Sequence, residues 1–89
     1  MDILQRATAG TMESSDAYVE IEPGNDGISL QLESVVMAQF GDSIKQTVRD
    51  LLAEMSVDNA NIRVVDRGAL ECVIRARVET AVLRGKGRE

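Results

Sequence analysis

The stretch ISLQLESVVMAQFGDSIKQTVRDLLAEMSVDNANIRVVD, residues 28–66, changes its hydrophobic period twice. Residues 28–33 alternate apolar with polar side chains, which predicts a β-strand with one buried face. From residue 37 to residue 55 the apolar positions step by three and four, which predicts one amphipathic helix. Alternation returns in NIRVVD, residues 61–66, and predicts another strand. Such a strand, helix, strand unit crosses over right-handedly within one sheet, so this stretch sets the architecture.

The predicted helix has an apolar stripe and an opposite polar face. The expected buried stripe consists of Met37, Phe40, Ile44, Val48, Leu51, Leu52 and Met55. Ser34 is a candidate cap at the start of the helix. Gly41 lies inside the pattern at a cost of about 1 kcal/mol relative to Ala, which indicates a close contact or a local bend.

Strand signals also precede this unit. ATAGTM at 7–12 and AYVEIE at 17–22 are strand-like, and PGNDG at 23–27 is a dense turn signal before the strand at 28–33. These segments predict three short antiparallel strands.

A second helix is predicted after DRG at 66–68, from Ala69 to about Leu83. Its expected buried stripe consists of Leu70, Val73, Ile74, Val78 and Ala81. The order is βββαβα, an α+β two-layer sandwich in which both helices pack on one face of a small mixed sheet. Residues 1–89 are expected to form a single domain, with 85–89 as a frayed tail.

Charge and composition exclude several classes of function. Ten basic and fifteen acidic side chains leave a net charge of −5, which argues against nucleic-acid binding. Arg84, Lys86 and Arg88 form a small basic cluster in the tail without aromatic neighbours. The single Cys72 cannot form an internal disulfide, and no apolar run approaches membrane-spanning length. We therefore expect a soluble cytoplasmic protein.

Few residues could support catalysis. The chain has no histidine, the commonest general base, and Cys72 in the middle of a helix reads as a small buried or half-buried thiol. Neither metal-ligand spacing nor a phosphate-binding glycine pattern occurs, so we predict no catalytic and no metal-binding residue. Arg75 and Arg77 are candidates for salt bridges to partner proteins or to Glu71 and Glu79.

The turn AGTMESSD at 9–16 carries two adjacent serines, Ser14 and Ser15. Short polar side chains of this kind commonly satisfy backbone groups in a hairpin loop, and the acids Glu13 and Asp16 are then solvated. The alternative is that an exposed hydroxyl on a rigid hairpin is a point for covalent attachment. The residues alone leave both possibilities open.

Three stretches resemble the acyl carrier protein, or gamma subunit, of citrate lyase: AGTMESSD at 9–16, QFGDSIKQTV at 39–48 and DRGALECVIRARVE at 66–79. The resemblance implies that one serine of the turn carries phosphoribosyl dephospho-coenzyme A through a phosphodiester. By position in the motif this serine is Ser14, because Ser15 fills a slot where the family accepts other small residues.

The resemblance further implies a non-catalytic, cytoplasmic carrier subunit and phosphoprotein of citrate fermentation. A prosthetic-group transferase loads the carrier, and its thiol is acylated. The alpha subunit exchanges acetyl for citryl, and the beta subunit cleaves the citryl thioester, so that citrate yields oxaloacetate and acetate. The alternatives are a carrier subunit of citramalate lyase or malonate decarboxylase, and a cofactor-free protein-interaction domain. An independent enzyme is the weakest alternative, because titratable groups are scarce.

Overall fold

The computed structural model describes residues 1–87, in which four strands and two helices follow the order βββαβα. The elements are β1 (Ala7–Gly10), β2 (Ala17–Glu22), β3 (Ile28–Ser34), α1 (Met37–Glu54), β4 (Ala60–Asp66) and α2 (Glu71–Gly85). This confirms the predicted α+β architecture.

The sheet is mixed, with the strand order β1-β2-β4-β3. β2 is antiparallel to β1 and to β4, whereas β3 and β4 are parallel neighbours, as expected of strands joined by α1. β2 and β3 thus run in opposite directions, but they do not pair, because β4 lies between them. The prediction of three consecutive antiparallel strands is wrong in this respect.

The turn segment at 23–27 crosses the beginning of β4 and does not close a hairpin. The carbonyl of Gly27 accepts a hydrogen bond from Ala60 N at 3.1 Å, and Gly27 N donates to Asn59 Oδ1 at 2.8 Å. At Gly24 a Cβ atom would lie 3.0 Å from the backbone of Ala60. The chain therefore passes closely over the first residue of β4 before β3 begins.

The core is aliphatic and lies between the sheet and the two helices. Alternate residues of β2 and β4 point into it, and those of β3, which has the edge position, are only partly buried. The largest fully buried side chains are Ile21, Leu52, Val19, Val48, Val64, Val78, Val82 and Asp66. Each buried aliphatic side chain of this size contributes about 1.5–3 kcal/mol relative to its exposed state.

Three side chains of the predicted buried stripes are exposed: Met37 by 40%, Phe40 by 56% and Leu70 by 72%. Met37 and Phe40 belong to the first turn of α1, which lies beyond the end of β3, so no strand covers these two side chains. Leu70 precedes α2 in an extended conformation, so the helical period does not apply to it. Helix burial therefore begins one turn later than the period predicts.

Gly41 is buried in α1, and its neighbour is the side chain of Met37. A Cβ atom at Gly41 would lie 3.0 Å from Met37 Sδ, which confirms the expected close contact.

Ser34 is not the N-cap of α1, because the helix begins three residues later, at Met37, and Val36 is the capping residue. The Ser34 hydroxyl accepts a hydrogen bond from Val36 N at 3.1 Å and donates one to Asp66 Oδ2 at 2.8 Å. The Ser34 hydroxyl thus stabilises the connection between β3 and α1.

The C-terminal end of α2 is anchored against the N-terminal segment. Gly85, the last residue of α2, is buried, and its carbonyl accepts hydrogen bonds from Leu4 N at 2.9 Å and Gln5 N at 3.1 Å. Arg84 donates to the Thr8 carbonyl at 2.8 Å. The expected tail at 85–89 thus begins with a helical residue, and Arg88 in the basic cluster lies outside the described residues.

Candidate functional site

Ser14 and Ser15 lie in the bend that connects β1 to β2, and both are exposed. Asp16 N donates a 3.2 Å hydrogen bond to the Glu13 carbonyl, which makes the two serines the central residues of a β-turn. Across residues 1–87, no hydrogen bond to the Ser14 hydroxyl is formed. This hydroxyl is therefore accessible and is not used by the fold.

The backbone of Ser15 is in the left-handed region, with φ of 66°. Glycine and asparagine are the residues that usually adopt this conformation, and for another residue it costs about 1–2 kcal/mol. Two hydrogen bonds hold it: Ser15 N donates to the Arg67 carbonyl at 2.9 Å, and Arg67 N donates to the Asp16 carbonyl at 3.0 Å. The bend is thus attached to the segment that follows β4.

The carboxylate of Asp16 joins the bend to α2. Arg77 donates to it through Nε and Nη2, each at 3.0 Å, in a two-point ion pair. Thr11 Oγ1 donates to Asp16 Oδ2 at 2.7 Å, and Ala17 N donates to Oδ1 at 2.7 Å. Asp16 is therefore not the solvated acid that the sequence predicted.

These donors stabilise the ionised form of Asp16. The Arg77 hydrogen bond, followed by those from Thr11 and Ala17 N, holds the pKa of the Asp16 carboxyl well below its ordinary value of 3.8. The carboxylate is consequently charged at any physiological pH.

Gly10 allows the close approach of β1 and β2 at the base of the bend. Its φ is +88°, and a Cβ atom there would lie 1.9 Å from the Ala17 carbonyl oxygen and 3.1 Å from Cδ of Arg77. Only glycine satisfies both the conformation and the space. Gly10 in AGTMESSD is thus a structural requirement of the turn.

The other candidate residues lie elsewhere. Arg77 pairs with Asp16, and Arg75 pairs with Glu54 at 3.1 Å, so the predicted pairs with Glu71 and Glu79 are wrong. Glu71 instead accepts a 2.9 Å hydrogen bond from Thr47, a buried residue of α1. Arg77 and Arg75 each bind a carboxylate outside α2, one in the bend and the other on α1. Helical spacing does not predict such contacts.

Cys72 is exposed and free, which corrects the expectation of a buried or half-buried thiol. It lies in the first turn of α2, beside the exposed Leu70 and Glu71. Within the described range 1–87, no three carboxylate or thiol groups are close enough together to hold a metal ion, and no helix has the length and apolar character to cross a membrane.

The bend meets the steric needs of a covalently attached group. Ser14 occupies the first central position of the turn and is exposed, so a substituent on its oxygen can be accommodated in solvent. The turn itself is fixed by Asp16 and by Ser15 N. An enzyme can thus reach the hydroxyl without unfolding any strand or helix.

Comparison with known proteins identifies the family. A family model described as the malonate decarboxylase delta subunit matches residues 4–85. The citrate lyase acyl carrier protein of Escherichia fergusonii is 51% identical over 85 residues, which cover 94% of this chain and 88% of that protein. The corresponding protein of Oenococcus oeni is 47% identical over 89 residues, 100% of this chain and 92% of its own length. This chain belongs to the family of citrate lyase acyl carrier proteins.

Acyl carrier proteins are carrier subunits rather than catalytic enzymes, and this family relationship confirms the prediction of a non-catalytic carrier subunit. A solved structure has the same fold as this family member: one chain of the Pseudomonas malonate decarboxylase hetero-tetramer, determined in complex with malonate. It matches with a TM-score of 0.81 at 26% identity, over 94% of this chain and 87% of that one. The fold of the carrier thus occurs as a subunit of a larger assembly.

Proposed function

We propose that this chain is the acyl carrier subunit of citrate lyase, with phosphoribosyl dephospho-coenzyme A attached to Ser14 through a phosphodiester. The observation that carries the proposal is the Ser14 hydroxyl, which is exposed, lacks a partner within residues 1–87 and lies in a turn held by Asp16 and Arg77. The family relationship supports the carrier function.

The chain's own contribution is tethering. When bound, the prosthetic group supplies the thiol that bears acetyl and citryl thioesters. Ser14 holds the point of attachment, and the ion pair of Asp16 with Arg77 keeps that point on a defined side of the sheet. Tethering raises the effective concentration of a bound intermediate near partner active sites without new contacts.

The proposed partners are the alpha and beta subunits of citrate lyase and the transferase that loads Ser14. We place the assembly in the cytoplasm, a reducing compartment in which the exposed thiol of Cys72 persists unpaired.

A second candidate is the carrier subunit of malonate decarboxylase. It is favoured by the description of the family model that matches residues 4–85 and by the TM-score of 0.81 with a chain of the Pseudomonas enzyme. Both candidates share the attachment site, so loading does not separate them. Activity after mixing with each set of partner subunits does.

The attachment site is tested by loading purified chain with a citrate lyase prosthetic-group transferase and its donor, followed by intact mass and peptide mapping. We expect one added group on the peptide that contains Ser14. Ser14→Ala remains unloaded, whereas the matched control Ser15→Ala is loaded, and both keep the thermal midpoint of the original chain. An original chain that stays unmodified while an authentic citrate lyase carrier is loaded in parallel would overturn the proposal.

The metabolic assignment is tested with the loaded chain after its thiol has been acetylated, because the exchange forms the citryl thioester by displacing acetyl. We expect citrate cleavage when it is mixed with citrate lyase alpha and beta subunits, and no malonate decarboxylation with the corresponding subunits of the other enzyme. The reverse result assigns the chain to malonate decarboxylase and overturns the citrate lyase assignment.

A further inference from the structure

The bend presents two adjacent exposed hydroxyls, and nothing in their chemistry distinguishes them. We propose that the ion pair of Asp16 with Arg77 positions the bend so that loading takes place on Ser14 and not on Ser15. This inference rests on the proposed function, because it takes Ser14 as the loaded residue. Arg77 and Asp16 act here as positioning residues, through the backbone conformation of the two serines.

Asp16 is the residue at which the restraints on the bend meet. Its carboxylate contacts Thr11 directly after β1, the backbone of Ala17 at the start of β2 and the guanidinium of Arg77 on α2. Its carbonyl accepts from Arg67 after β4. Four separate segments of the chain are thus fixed relative to one another through a single side chain and its peptide group.

The restraints act differently on the two serines. The peptide N–H groups on both sides of Ser15 are occupied, since Ser15 N donates to Arg67 and Asp16 N donates to Glu13. Its φ of 66° is an unfavourable conformation that persists only while these contacts hold it. Within the described part of the chain, Ser14 forms no hydrogen bond through its N–H, its carbonyl or its hydroxyl.

This asymmetry decides which oxygen a transferase can use. In loading, the serine oxygen forms a bond to the phosphorus of a phosphoanhydride donor, the anhydride P–O bond breaks and the displaced phosphate chain leaves as its anion. The hydroxyl proton passes to a base of the transferase. The attacking oxygen has to align with the breaking bond. Ser14 can adjust to that requirement, whereas the backbone of Ser15 is held against the protein.

Geometry, and not charge alone, makes Arg77 suited to this function. Its planar guanidinium donates to both carboxylate oxygens, whereas a lysine ammonium has no fixed fork. The side chain passes over Gly10, where a Cβ atom would lie 3.1 Å from Cδ of Arg77. Position and orientation of the guanidinium are therefore both defined.

The experiment compares loading of four chains: the original, Arg77→Lys, Arg77→Ala and Arg75→Ala. Arg75→Ala is the matched control, because Arg75 lies on the same helix, has a side chain 37% exposed against 40% for Arg77, and pairs with Glu54 away from the bend. For Arg77→Ala we expect kcat/KM of loading to fall about 10- to 100-fold, with part of the product on Ser15. The kcat/KM of Arg77→Lys is expected to lie between those of Arg77→Ala and the original chain. Arg75→Ala is expected to be loaded as the original chain is.

A second pair of variants gives a readout that loss of stability does not produce. Ser14→Ala alone stays unloaded, whereas the double variant Ser14→Ala with Arg77→Ala accepts the group on Ser15. Circular dichroism at the assay temperature verifies folding, and backbone order parameters of residues 13–16 fall from about 0.85 to below 0.6 in Arg77→Ala. If the original chain is loaded on Ser14 and the Arg77→Ala chain is loaded at the same rate and site, the positioning inference is wrong while the proposed function stands. Failure to load the original chain refutes the proposed function itself.

Discussion

The hydroxyl of Ser34 donates a 2.8 Å hydrogen bond to Oδ2 of Asp66, and the two residues are directly paired at the ends of the parallel strands β3 and β4. The other oxygen of Asp66 accepts from Gly68 N at 3.1 Å and Ala69 N at 2.8 Å. Asp66 is 1% exposed, so these donors replace the water that its carboxylate would otherwise bind. One buried side chain thus orders the starts of both helices.

Removal of this carboxylate is expected to destabilise the fold strongly. Asp66→Ala leaves Gly68 N, Ala69 N and the Ser34 hydroxyl without their acceptor, and we expect the free energy of unfolding to fall by about 2–4 kcal/mol. Asp66→Asn keeps an acceptor oxygen for the two N–H groups, so its loss is smaller. Urea unfolding measures both, and equal losses in the two variants would contradict this account of the buried oxygens.

Leu52 and Phe40 lie on the same predicted stripe of α1, yet only Leu52 is buried, with 1% exposure against 56% for Phe40. Leu52→Ala opens a cavity and is expected to cost about 2–5 kcal/mol. Phe40→Ala removes a larger side chain but costs less than about 1 kcal/mol, because little apolar surface returns to water. Thermal unfolding distinguishes the two, and a similar loss for Phe40→Ala would mean that Phe40 packs into the core.

Gly10 and Gly27 both have positive φ, +88° and +83°, but differ in the space around them. At Gly27 a Cβ atom has no neighbour within 4 Å, so Gly27→Ala carries only the conformational penalty of about 1–2 kcal/mol. Gly10→Ala adds a clash with the Ala17 carbonyl and is expected to cost at least about 3 kcal/mol. Denaturant titration of the two variants isolates the steric component, and equal losses would show that the bend can move aside.

Asp16 is expected to make stability depend on pH in the acidic range. Its pKa lies below the ordinary value of 3.8 in the folded state, so near and below that pH the unfolded chain binds more protons. The contribution is therefore complete above about pH 5 and is lost as the pH falls through the ordinary carboxyl range and below it. Urea unfolding between neutral pH and the acid limit measures this slope.

Two variants identify the cause of that slope. Asp16→Asn removes the titrating group, and Arg77→Ala removes the principal donor, so both flatten the acid dependence relative to the original chain. Arg75→Ala, whose partner is Glu54, retains it. If Asp16→Asn leaves the acid slope unchanged, the carboxylate of Asp16 does not supply this stability.

Local patterns are sufficient to predict the secondary-structure elements and the exposed turn that contains Ser14. Alternation at 17–22 and 61–66 predicts strands, and the three-and-four spacing between 37 and 55 predicts α1, because each follows from the repeat of one backbone conformation. The motif AGTMESSD likewise indicates an exposed turn with Ser14 in it, since turn residues act over a few neighbouring positions.

Contacts between distant segments are known only from the tertiary structure. β4 enters the sheet between β2 and β3, and Arg77 meets Asp16 across a separation of 61 residues. No local sequence pattern predicts either contact. The strand edge that β4 occupies and the carboxylate that Arg77 binds both depend on how the fold brings distant surfaces together. For the same reason Phe40 has the period of a core residue and yet lies where no strand remains to cover it.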